Sequence, residues 1–151
     1  MTRFTFTNFL VLLILLLTIA CSNPKQLPKT DKQVKNSLPV EMVDSYEGIV
    51  SDYFELDQLH LDNNRLEVVL TYGGGCGDVS YEVFYNDVVL QSYPPQVFLK
   101  LKFTDNDPCR AIIKDTISID LSYFEAMARA GGLQIGLSGF NQQATYALPL
   151  K

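Results

Sequence analysis

The sequence predicts an all-β fold, an antiparallel β-sandwich of immunoglobulin-like style that carries one short helix. Three observations predict it. First, apolar and polar residues alternate with period two: Leu66, Val68, Leu70 and Tyr72 fall on one face, Arg65, Glu67, Val69 and Thr71 on the other. Second, clusters of turn-forming residues such as Asp62-Asn63-Asn64, Pro94-Pro95 and Asp105-Asn106-Asp107-Pro108 punctuate the alternating runs. Third, strand patterns are not interleaved with helical ones, as a parallel βαβ sheet would require. A closed barrel is the alternative arrangement of the same strands.

The chain has 151 residues, enough for one domain of ordinary size. Its first segment reads as a signal. Arg3 and the amino terminus supply positive charge, and Phe9 to Ala20 is an apolar run. Such a run is short for a membrane span, which takes about 20 residues, and fits the core of a secretory signal. It ends in Leu17-Thr18-Ile19-Ala20-Cys21. This resembles the lipobox of bacterial lipoproteins, in which a small residue precedes the cysteine that becomes the lipidated amino terminus. Thr18 departs from the usual leucine, although Leu17 lies one place back. The resemblance implies that residues 1–20 are removed and that Cys21 carries acyl chains such as palmitate. Each buried CH₂ contributes about 0.8 kcal/mol, so several chains hold a protein firmly where one holds it marginally. Ser22 rather than Asp follows the cysteine, which favours the outer over the inner membrane. A plain cleaved signal or an uncleaved anchor, with Cys21 incidental, is the other reading.

Residues 21–40 read as this cysteine and a flexible basic tether. They hold Pro24, Pro28 and Pro39 and the lysines 25, 29, 32 and 35, with little to bury. Four lysines against Asp31 give the tether +3, whereas residues 41–151 hold seven Lys/Arg against sixteen Asp/Glu, a net −9. A basic tether beside the lipid can lie against anionic headgroups while the acidic domain stays clear, or the lysines simply keep a linker solvated.

The domain is expected over 41–151. Gly48 to Leu56 reads as a first strand, rich in β-formers but imperfectly alternating. Gln58–Leu61 and Arg65–Tyr72 read as a hairpin about Asp62-Asn63-Asn64. Val79 to Tyr85 continues the pattern. Asn86-Asp87 is a turn candidate lacking glycine, from which Val88–Gln91 would return as a short strand ended by Pro94-Pro95. Val97 to Thr104 points Val97, Leu99, Leu101 and Phe103 inward, and Ala111 to Leu121 does the same with Ile113, Ile117, Ile119 and Leu121. Ser122 followed by Glu125 reads as a capping box opening a helix over Tyr123–Ala130, stopped by Gly131-Gly132. Leu133–Ser138 and Ala144–Leu148 close the domain, for seven or eight strands in all.

Three cysteines are present. With Cys21 lipidated, Cys76 and Cys109 remain as an even pair in an oxidising compartment, and a disulfide is the leading reading. Two inert thiols, or a catalytic Cys76, are the alternatives. A reactive thiolate needs a base or cation nearby, and nothing places the single histidine, His60, beside Cys76.

The runs Tyr72-Gly73-Gly74-Gly75-Cys76, Tyr93-Pro94-Pro95-Gln96, Asp107-Pro108-Cys109-Arg110-Ala111 and Ser118-Ile119-Asp120-Leu121-Ser122 are similar to a group of small bacterial lipoproteins bearing a GGC…C β domain. The likeness spans roughly residues 48–150. It implies export and fold, and no activity. These relatives often carry a histidine shortly after the first cysteine, where this chain has Val79, so a role for that histidine could not operate here.

Other constellations are weaker. The triple glycine lacks the lysine, the Ser/Thr and the following helix of a phosphate loop. Asp105-Asn106-Asp107 resembles the opening of a calcium loop, with Asp78 able to approach, but the rest of an EF-hand is missing. One histidine and two paired cysteines do not make a zinc site. A hydrolase triad through His60 has no elbow motif to support it. Tyr81, Phe84 and Tyr85 could form a ligand platform, but alternation splits them between two faces. The acidic domain disfavours nucleic acid. The sequence is therefore read as a lipid-anchored envelope protein without a catalytic residue or cofactor, its β domain engaging an envelope protein. The alternatives are a small-ligand or weak calcium module at the Cys76/Cys109 loops built on Asp78, Asp105 and Asp107, and, less favoured, a hydrolase using His60.

Overall fold

The alternation of the sequence becomes two facing sheets. The structure, a computed structural model, describes residues 37–149. The signal segment, Cys21 and the tether before residue 37 lie outside the described residues. In chain order the strands are β1 (Val40–Met42), β2 (Glu55–Asp62), β3 (Arg65–Gly74), β4 (Asp78–Tyr85), β5 (Val89–Leu90), β6 (Gln96–Asn106), β7 (Ala111–Asp120), β8 (Leu133–Leu137) and β9 (Gln143–Tyr146). A 3₁₀ turn, Ser122–Phe124, and the helix α1, Glu125–Arg129, lie between β7 and β8. The larger sheet runs β1-β4-β6-β8-β9, with β5 also on β6; the smaller runs β2-β3-β7.

The inward faces meet as the alternation demands. Leu66, Val68 and Leu70 of β3 and Ile117 and Ile119 of β7 are buried, as are Val97, Leu99, Leu101 and Phe103 of β6. Leu133, Ile135 and Leu137 of β8 and Tyr146 of β9 complete the same core, and Phe124 and Ala128 cap it from the helical segment. Fully burying an aliphatic side chain of this size contributes roughly 1.5–3 kcal/mol, so the matched faces drive the sheets together.

Four expectations are corrected. The strands are not all antiparallel: β1 runs parallel to β4 and β8 parallel to β6. The chain between β6 and β8 crosses to the other sheet as β7 and returns through α1, which permits a parallel neighbour.

Gly48–Leu56 is not a strand up to its end; β2 begins at Glu55. The segment from Val43 to Phe54 instead straps the larger sheet. The Val43 N–H donates to Tyr85 O, Tyr46 packs its hydroxyl between β4 and β6, and the Asp52 N–H donates to Phe103 O. Gly48, at φ +80°, bends the strap. Its apolar residues serve different ends, since Val50 and Tyr53 are exposed while Phe54 enters the core.

Val88–Gln91 does not fold back on β4. Phe84 pairs with Lys100 and Val89 with Val97, so β5 continues β4 along β6 after a bulge. Asp87, at φ +56°, lies in that bulge. The reversal comes later, through Gln91 to Pro95.

The capping box does not form. Ser122 Oγ donates to Asp120 Oδ1 at 2.6 Å rather than capping the helix. The Glu125 carboxylate reaches across the fold to accept from the Asn64 side-chain amide. Asn64 Oδ1 also accepts from the Tyr146 hydroxyl at 2.9 Å, so the β2–β3 turn is latched onto the helix and β9.

Pairing among the described residues begins at Leu38. Leu38 bridges Ile119 in parallel, and two residues on β1 joins the other sheet. This segment stitches the two sheets along one side.

Candidate functional site

The loops between β3 and β4 and between β6 and β7 meet at one end of the sandwich. β3 ends in Gly74 directly opposite Ala111 of β7, and β4 begins with Asp78 opposite Asn106 of β6. That register brings Cys76 and Cys109 together. They form a disulfide with Cα atoms 5.8 Å apart, within the ordinary range. The paired-cysteine reading holds, and the inert-thiol and nucleophile readings of Cys76 fall with it.

Asp107 organises the loop. Its Oδ2 accepts from the Gly75 N–H at 2.5 Å and the Cys76 N–H at 3.0 Å, and its Oδ1 accepts from the Cys109 N–H at 2.8 Å. The Gly77 N–H is the largest influence holding the Asp107 carboxyl down to about 2, with those of Cys109, Cys76 and Gly75 adding to it against partial desolvation. Backbone donors converging on one carboxylate make a nest for negative charge. Asp105 supports it by accepting the Asp107 N–H at 2.8 Å, and the Asp105 N–H in turn donates to Asp52 at 2.8 Å.

The glycines follow from this packing. A Cβ on Gly74 would stand 2.8 Å from Asp107 Oδ2, and one on Gly77 would stand 2.7 Å from Asp107 Cα. Gly75 adopts φ +118°, a conformation glycine takes at no steric cost. The triple glycine thus accommodates a carboxylate of the same chain, with no room left for a phosphate.

The calcium candidates are placed differently from one another. Asp107 is turned into its nest, Asp105 accepts from the Asp107 backbone, and Asp78 is exposed at the start of β4. Among the described residues, the cluster of metal-ligating types is Cys76, Asp107 and Cys109, with ligand atoms within 4.8 Å of one another. Its two sulfurs are bonded to each other, and its carboxylate faces N–H donors, which repel a cation. The arrangement suits a structural knot.

His60 lies on β2 opposite Glu67, exposed on the outer face of the smaller sheet. Among the described residues its side chain makes no hydrogen bond or ion pair. Tyr81 and Phe84 also part company: Tyr81 donates to Asp115 Oδ2 at 3.1 Å inside the sandwich, while Phe84 is covered on the opposite face of β4. Burial first, then Tyr72 and Asp115, push the Tyr81 hydroxyl up, so it stays a neutral donor. There is no aromatic platform on β4.

A groove escapes sequence reasoning. It has a volume of about 550 Å³ and lies between residues 51–56, the end of the strap and the start of β2, and the loop after β8, residues 138–140, with Lys100 and Leu101 of β6 as its floor. The Ser138 N–H donates to Leu99 O and the Asp52 N–H to Phe103 O. Strand alternation turns the peptide groups of Leu101, midway between them, toward the same gap. Val50 and Tyr53, 77% and 78% exposed, stand on the strap beside it. No local signal marks this groove, because three separated segments build it.

No protein-family model and no curated protein matches the sequence. Among solved structures, the chain is similar to a DUF1344 protein of unknown function from Bacteroides vulgatus, 12% identical with a TM-score of 0.49, over 76% of this chain and 57% of that one. It is also similar to a toxin-related protein from Parabacteroides distasonis, 12% identical with a TM-score of 0.46, over 75% of this chain and 61% of that one. The chain thus spans about three-fifths of the length of these structures.

Proposed function

We propose that this protein is a lipid-anchored component of the bacterial envelope, held by acyl chains on Cys21, whose β-sandwich is a non-catalytic interaction module. The observation that carries the reading is the Cys76–Cys109 knot. A disulfide fits an exported domain. Around it the conspicuous polar group, the Asp107 carboxylate, is spent on the chain's own backbone rather than offered to a substrate. The lipobox-like Leu17–Cys21 run and the basic tether support the anchor, and Ser22 favours the outer membrane.

The groove beside the strap is the surface we assign to the partner. An extended segment of an envelope protein laid there would meet the Leu101 peptide groups and cover Val50 and Tyr53, in the manner of strand addition. Two measurements test the reading. Cys21→Ser should lose acyl labelling and leave the membrane fraction; labelled mutant would sink the anchor. A photo-crosslinking residue at Tyr53 should give a discrete adduct in intact envelopes, whereas one at Thr116, on the outer face of the smaller sheet, should not. Equal labelling at both positions, or none at Tyr53, would remove the groove as the contact surface.

A further inference from the structure

The disulfide stands in the open. Cys76 is exposed and Cys109 half-buried, so the sulfur that an incoming thiol meets first is Cys76 Sγ. Thiol–disulfide exchange begins with a thiolate attacking such a sulfur, and its rate depends on access and on how readily the other sulfur leaves as a thiolate. An exposed staple is therefore the kind most open to exchange.

Asp107 changes the electrostatics of that attack. Its Oδ1 lies 3.3 Å from Cys76 Sγ, and a carboxylate oxygen and both sulfurs lie within 4.8 Å of one another. Cys76 Sγ carries no proton, so this approach is a negative charge set against the bond. The charge is fixed there by the N–H groups of Gly75, Cys76 and Cys109. Those donors would otherwise be free to stabilise a thiolate, as positive surroundings do at reactive cysteines. Occupied by Asp107, they cannot.

We propose that Asp107 is a guard residue for the disulfide: its carboxylate, packed against Cys76 Sγ, slows reduction of the Cys76–Cys109 bond by thiolates and keeps the exposed staple closed. The step it opposes is defined. A thiolate RS⁻ attacks Cys76 Sγ, an RS–Sγ bond forms, the Cys76–Cys109 bond breaks, and the electron pair leaves on Cys109 Sγ as a thiolate. A second thiol then attacks the mixed disulfide, releasing the Cys76 thiolate and RS–SR; the two electrons come from the two thiols. Asp107 repels the incoming anion in the first stage and raises the energy of the thiolate released beside it. The inference does not depend on the partner or on the lipid.

The test compares reduction rates of the purified full-length protein by two small thiols of opposite charge, cysteamine and mercaptoethanesulfonate. Asp107→Asn should be reduced about 3–10-fold faster by the anionic thiol and less accelerated with the cationic one, as expected when a like charge is removed. The cationic-to-anionic rate ratio should therefore fall several-fold relative to wild type. Asp78→Asn removes an exposed carboxylate at the start of β4 and should leave the ratio unchanged. Equal acceleration by both thiols would mean that the variant merely loosens the loop, and would overturn the proposal. So would no acceleration, or an equal effect of Asp78→Asn. Should the asparagine variant fail to close the staple, Asp107→Ser keeps a hydroxyl acceptor at the position and is read against the same ratios.

Discussion

Two tyrosines show how the same hydroxyl can help or harm according to where it ends. Tyr46 lies on the strap and donates to Phe98 O at 2.6 Å, with Phe84 O at 3.2 Å on its other side. Those carbonyls sit where β4 leaves β6 for the bulge, so the hydroxyl fills a break in the ladder. Tyr85 is fully buried against Phe124, and its hydroxyl finds no hydrogen-bond partner among the described residues. Burial, with the charges of Asp87, Tyr123 and Tyr46 adding, pushes it up to about 12, so it remains a neutral group with an unmet bond. A hydrogen bond of this kind contributes about 1 kcal/mol net, while a buried unmet group costs about 1–3 kcal/mol. Tyr46→Phe should therefore lower stability by about 1 kcal/mol, and Tyr85→Phe should leave it unchanged or raise it. Denaturant titration of the two variants against wild type decides this, and a loss at Tyr85 equal to that at Tyr46 would refute the assignment of an unmet hydroxyl.

At the scale of the element, the loop from Gly73 to Gly77 carries glycines with different duties. A Cβ on Gly73 would meet nothing within 4 Å, and its backbone is ordinary. On Gly77 it would press on Asp107 Cα at 2.7 Å and Asn106 O at 2.8 Å, both backbone atoms that cannot swing aside. Overpacking of this kind typically costs about 1–3 kcal/mol. Gly73→Ala should be neutral within about 0.5 kcal/mol, as for an ordinary surface change, and Gly77→Ala destabilising by the larger amount. Urea midpoints measured on the two variants separate the duties; equal midpoints would mean that the loop shifts freely. The sequence shows five residues, Gly73 to Gly77, of which four are glycine, and gives no ground for ranking them. The ranking needs the position of Asp107, which comes from a turn some thirty residues on, across the fold.

For the whole molecule, the staple is the covalent cross-link among the described residues. It closes residues 76 to 109, a segment holding β4, β5 and β6, and β6 is the strand on which β4, β5 and β8 all pair. The chain-entropy model gives about 3–4 kcal/mol for a loop of this length. The core itself does not pass through the disulfide: Leu66, Leu70, Ile117 and Ile119 on one sheet and Leu99 and Ile135 on the other are buried independently of it. Reduction should therefore lower the melting temperature while leaving the far-ultraviolet circular dichroism of the folded state intact. In a Cys21→Ser protein, thiol titration under denaturing conditions without reductant should find no free sulfur. Two reactive thiols would rule the staple out in solution.

What the sequence determined by itself is what period and parity encode. β3, β6 and β7 were legible because inward residues recur every second position, a property of the strand alone, and β8 because its apolar run is bounded by Gly132 and Gly139. The Cys76–Cys109 pair was legible by elimination, once Cys21 is set aside as the expected lipidation site. The tertiary structure decided where groups found their hydrogen-bond partners. Gly48 to Leu56 reads as a strand, yet its residues up to Phe54 form a strap because β6 offers them contacts at Phe103. The helix loses its capping box because Asn64, distant in sequence, takes the Glu125 carboxylate. Asp107 reads as one of three weak calcium candidates with Asp78 and Asp105, yet becomes an anion in a nest because the folded loops aim backbone N–H groups at it. In each case the residue's own chemistry is plain in the chain, and its use depends on which donor or acceptor folding brings within about 3 Å.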